Sequence, residues 1–205
     1  MKKLLALLLT LSMLLTGFAM AEATDEAATE EVVPFVFRDA ITWESTSDEI
    51  AEAFAEFGVM KMESGMEGLV TIAFEEYVPF NDVNTELAIM LWQDKPVMIE
   101  HMCWNSVMEG ETYEDFEAVL KAEYGESSEE AVADMEALMM LMGSSEAMFT
   151  EYAKCSAWRV GDALVSMFLT VEDDPYFYIV YTNEAGIQAM IEAIVALYEA
   201  VDVSE

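Results

Sequence analysis

His101 is the chain's one histidine, and it stands between Glu100 and Met102 with Cys103 two positions on. Residues 101 and 103 of a strand face the same side. An imidazole and a thiolate at that spacing, joined by a methionine thioether, make the soft donor set that copper or zinc takes. No second Cys or His stands at ligand spacing, so a packed histidine is the plainer expectation. A Ser/His/Asp or Cys/His mechanism would also have to recruit His101, and no nucleophile elbow occurs in the chain. Seventeen methionines invite another metal reading, notably Met135, Met139, Met140, Met142 and Met148, with Met60 and Met62 earlier. Most fall on the apolar stripe of an expected helix or in expected strands, where a flexible thioether fills irregular gaps. A methionine-rich binding surface is the alternative.

Carboxylates are so frequent, 41 against 8 basic residues, that neighbouring pairs such as Glu75-Glu76 and Asp173-Asp174 are expected by chance. Successive strand residues point to opposite faces, so Glu75 and Glu76 within a strand make no acid/base couple by themselves. Asp173 and Asp174 precede Pro175 and read as turn formers. No loop has the alternating Asp/Asn and glycine of an EF-hand. The net charge of −33 repels nucleic acid and anionic lipid, and no basic patch offsets it.

The chain opens with Lys2-Lys3, an apolar run from Leu4 to Leu15, and the small-x-small ending Ala19-Met20-Ala21. These are the three parts of a cleavable signal peptide over residues 1–21, and the apolar run is shorter than the roughly 20 residues a spanning helix needs. The mature chain is therefore expected in the cell envelope or outside the cell. Residues 22–31 (EATDEAATEE) read as an acidic disordered tether. Residues 32–205 are expected to form one folded domain. Two cysteines in an exported chain can form one bridge, and closing a loop of about fifty residues would stabilise by roughly 4 kcal/mol. Cys103 and Cys155 both fall in expected strands, so a bridge requires those strands to be neighbours; two buried free thiols are the alternative.

Thr46 with Glu49 makes a capping box for a helix over Ser47 to Phe57, ended by Gly58. From Val59 to Trp104 the apolar period becomes two, which predicts strands at Val59–Glu63, Leu69–Tyr77, Glu86–Gln93 and Val97–Trp104. Between them stand a Ser64-Gly65 turn, a loop from Pro79 to Asn84 and a tight Asp94-Lys95-Pro96 turn. Helices are expected over Tyr113–Tyr124 and Ser128–Met142, capped at Thr112 and Ser127 and stopped at Gly125 and Gly143. Strands at Thr150–Val160, Ala163–Val171 and Tyr176–Thr182 follow, then a helix over Glu184–Val201. Strands cluster instead of alternating with helices, which predicts an α+β fold: a mainly antiparallel sheet with helices packed on it in two layers.

Two expected strands are apolar on both sides. Leu87, Ile89 and Leu91 alternate with Ala88, Met90 and Trp92, and Tyr176 to Tyr181 behaves alike. A sheet with one wet face would alternate apolar with polar. Either helices cover both faces, or one face carrying aromatics is left for a partner, with Trp92, Tyr176 and Tyr178 as its contact candidates.

The run Phe35-Val-Phe-Arg38-Asp-Ala-Ile41-Thr-Trp43-Glu-Ser-Thr46-Ser-Asp-Glu49-Ile50 resembles the opening of small secreted bacterial domains of the β-lactamase-inhibitor-like and outer-membrane-assembly-lipoprotein-like type. Lys121-Ala-Glu-Tyr124-Gly125 closing a helix and Trp158 in a later strand extend the likeness to about Tyr181; Glu44 stands where the pattern prefers glycine. The resemblance implies an α+β fold, no catalysis, and a role in protein binding or envelope scaffolding; separately, no cofactor is expected. It transfers no binding residue. The expected function is an exported, non-catalytic domain that binds another macromolecule, in first place a protein or another copy of itself. The alternatives are a secreted hydrolase using scattered carboxylates and a soft-metal binder around His101 and Cys103.

Overall fold

Short-range signals set most of the elements. In the computed structural model, which describes residues 33–104, 112–141, 152–171 and 176–202, Thr46 Oγ1 accepts from the Glu49 N–H while the Glu49 carboxylate accepts from the Thr46 N–H. This reciprocal cap starts α1 (Ser47–Ala53), which passes through a 3-10 turn (Ala55–Phe57) to Gly58 at φ 68°. A Cβ at Gly58 would stand 3.0 Å from the Glu75 side chain, so both conformation and space favour glycine there. Thr112 and Asp115 repeat the box at the head of α2 (Tyr113–Tyr124). The third helix, α3 (Glu129–Leu141), is capped one residue later than expected, by Ser128, whose hydroxyl accepts from the Ala131 N–H and whose carbonyl accepts from the Val132 N–H. The last helix is α4 (Glu184–Asp202). The expected signal peptide and tether, the Asp173-Asp174-Pro175 turn, Met142, Gly143, Met148 and the start of the Thr150 strand lie outside the described residues.

The described residues include ten strands. A hairpin of β1 (Val36–Phe37) and β2 (Ile41–Thr42) stands alone. The other eight form one antiparallel sheet: β3 (Val59–Glu63), β4 (Leu69–Phe74), β5 (Val78–Phe80), β6 (Val83–Trp92), β7 (Lys95–Trp104), β8 (Tyr152–Val160), β9 (Ala163–Thr170) and β10 (Tyr176–Thr182). Their order is β3-β4-β6-β7-β10-β9-β8, with β5 sharing the β4 edge of β6. The segment expected as a Pro79 to Asn84 loop is instead a hairpin. Asn81 and Asp82 both have positive φ, 47° and 67°, the requirement of a two-residue type I′ turn. Gln93 and Asp94 do the same between β6 and β7, so Lys95 and Pro96 belong to the strand.

Helices lie on both faces of the sheet, because strands such as β6 are apolar on both sides; this adds a third layer to the two expected. The first face carries Ile72, Leu87, Ile89, Ile99, Met167, Phe177 and Ile179, covered by Phe35, Phe37, Ile41 and Trp43, by Ile50 and Phe54 of α1 and by Tyr113, Phe116 and Leu120 of α2. On the second face, Ala131 and Met135 of α3 pack on Ala157 and Leu164. Ile187 and Met190 of α4 pack on Trp92 and Val97.

Candidate functional site

Trp92 is only 8% exposed, buried beneath α4 with Val97. Tyr178 is half-buried and stacks on Phe168 with centroids 4.9 Å apart. Tyr176 is described along its backbone alone, opposite Trp104. Trp92 and Tyr178 are therefore not brought together into one open patch.

His101 and Cys103 do share the first face, but the packing there is that of a core. His101 is fully buried between the rings of Phe37 and Phe80, at 5.7 and 5.5 Å between centroids. The Thr85 hydroxyl donates to the Val78 carbonyl at 2.6 Å, so its oxygen must accept from His101 Nδ1–H, also at 2.6 Å. This fixes the neutral Nδ1–H tautomer and leaves Nε2 without a partner among the described residues. Burial, helped by the charge of Arg38, holds the imidazole down at about 3, so it stays uncharged. Cys103 Sγ lies 3.6 Å from the Asn84 carbonyl, and burial with the charge of Glu86 pushes its thiol up. Among the described residues no three His, Cys, Asp or Glu side chains converge to hold a metal.

Cys155 lies on β8, three strands away from β7. Three steps of about 4.8 Å separate the backbones by roughly 14 Å, beyond the about 7 Å a disulfide allows. The cysteines also face opposite sides of the sheet, Cys103 in the first core and Cys155 against α3, and no disulfide joins them. Burial, with the charge of Glu136 beside it, pushes the Cys155 thiol up to about 12. The expected methionine group divides as well: Met135 is buried, Met139 packs beside it, and Met140 is exposed.

The open part of the second face lies at the end of β6 away from Trp92. Among the described residues no helix is packed there, and a groove of about 480 Å³ remains. Its wall is Met60 and Met62 of the edge strand β3, 41% and 50% exposed. Its floor comes from the register: Met60 lies opposite Ala73, Ala73 opposite Ala88, and Ala88 opposite Glu100, while Glu86 lies opposite Met102. Across β7, Glu100 faces Val180. Desolvation by these apolar neighbours pushes its carboxyl above the ordinary range. Glu75 and Glu76 follow the end of β4, so the strand alternation expected for them does not apply, and both line the groove.

No protein-family model, curated protein or solved structure matches this chain. Of the groove residues the sequence alone marks Met60, Met62, Glu75 and Glu76, for other reasons, and it does not mark Glu86 and Glu100 as a pair, although a signal existed. On the face opposite Leu87, Ile89 and Leu91, period two places Glu86 and Glu100 among Ala88, Met90, Met98 and Met102. Carboxylates aligned on one end of an otherwise apolar face mark the part that water or a partner reaches.

Proposed function

We propose that this chain is an exported, non-catalytic binding domain that holds a partner protein in the groove between β3 and β7. The observation that carries the reading is the uneven covering of the second face: α3 and α4 bury its β8–β9 half and its Trp92 end, while Met60, Met62 and Met102 line the part left open. Methionine side chains adapt to a partner's shape at little cost, which suits an exposed contact surface. Export rests on the signal-like residues 1–21, and protein binding agrees with the resemblance of the Phe35 to Ile50 run. The test is photo-cross-linking from position 62 and, as a control, from the exposed position 52, in the extracytoplasmic fraction of the source cells. A discrete protein adduct at 62 alone supports the reading; equal adducts at both positions refute it.

One observation favours a second reading. Glu100, with its raised carboxyl, and Glu86 lie diagonally on neighbouring strands in the same groove, the pairing a hydrolase needs for acid and base. Under that reading Glu100→Gln abolishes a hydrolytic activity of the purified chain, whereas the binding reading requires no such activity.

A further inference from the structure

The groove is apolar in its walls and acidic at its floor and mouth, and among the described residues no Lys or Arg lines it; Arg38 donates to the Pro79 carbonyl. Lys61, Lys95, Lys121, Lys154 and Arg159 all form ion pairs, with Asp48, Glu44, Glu117 and Glu126, Glu114, and Asp134 and Glu184. None of these carboxylates belongs to the groove. Among the described residues, the Glu86 and Glu100 carboxylates have neither an ion-pair nor a hydrogen-bond partner, and Glu100 is partly buried against Ala88 and Val180. A second copy of a chain with net charge −33 would bring further negative charge to this place, as would the acidic residues 22–31. Resting on the binding function proposed above, we infer that the groove's occupant is a basic segment of a partner protein, with lysine or arginine ammonium groups set against Glu86 and Glu100 and apolar side chains against Met60, Met62 and Met102. The thioethers supply contact area, and the carboxylates choose the sign of charge.

The probe is a short fluorescent peptide alternating lysine and leucine, with matched peptides carrying serine or glutamate in place of lysine, titrated with the mature chain by anisotropy. The double substitution Glu86→Gln with Glu100→Gln changes groove charge at constant shape. Glu52→Gln with Glu56→Gln removes equal charge from an exposed surface elsewhere. The expected result is that the lysine peptide binds, weakens about tenfold with the groove pair and less than about twofold with the remote pair. Met62→Ala, at a half-exposed position, must weaken it as well, and this variant decides the matter if the groove pair does not fold. Groove-dependent binding that prefers the serine or glutamate peptide overturns the charge inference but leaves the groove as a binding surface. Equal loss from both glutamine pairs, or binding of no peptide that depends on the groove, overturns both.

Discussion

Replacing His101 by asparagine removes the one imidazole from the core while retaining an N–H that can donate to Thr85 Oγ1. In the folded chain burial, with a smaller contribution from Arg38, holds this imidazole at about 3, against 6.5 for an unperturbed histidine. Below pH 6.5 the unfolded chain therefore takes up a proton that the folded chain refuses. The stability contribution is complete above 6.5 and declines as the pH falls toward 3. Linkage makes the loss about 2 kcal/mol at pH 5 and about 4 kcal/mol once pH 3 is reached. The many carboxylates also titrate in this range, but they are common to both proteins and cancel in the difference. Urea unfolding followed by the fluorescence of the buried Trp43, Trp92 and Trp158 measures each stability at pH 7 and pH 5. The gap between natural chain and variant should shift by about 2 kcal/mol in the variant's favour on acidification. Parallel stability curves over that interval would refute the buried, neutral assignment of His101.

Thr46→Ala breaks the reciprocal cap with Glu49 and should lower unfolding stability by about 1 kcal/mol, with Thr46→Ser restoring most of it; an unchanged urea midpoint would show that packing of Ile50 and Phe54 alone holds α1. Thiol titration in denaturant without reductant should find both Cys103 and Cys155 free, and in the native state Cys103, 1% exposed, should react far more slowly than in the unfolded chain. A single species lacking titratable thiol would contradict the strand order.

Where an element is bounded by local chemistry, its limits were legible. Thr112 with Asp115 at one end and Gly125 at the other confine α2 to Tyr113–Tyr124, and β3 and β10 run as their periodicity predicts. Pro79 misled because its missing N–H suggests a loop, although the short β5 accommodates it and Asn81-Asp82 turns the chain tightly. The fate of Trp92 depends on α4, about ninety residues later, docking on it, and no residue near Trp92 announces that contact. The same holds for the cysteines: strand spacing in sequence says nothing of β10 and β9 inserting between them. The groove is assembled from β3, β4, β6 and β7 by register, so its composition is visible in the sequence only after the pairing is known.

The pairing of β7 with β10 joins two halves of the sheet that are each made of neighbours in sequence, β3 to β7 and β8 to β10. Every other seam can close by a short loop, whereas this one waits for the whole intervening chain, so late zippering at the centre sets the pace of folding. During synthesis, the earlier half carries a long, apolar and unclosed flank at β7 until Tyr176 to Thr182 arrive. A chain cut short before Tyr176 keeps that flank bare, and self-association through it is the failure such a truncation invites.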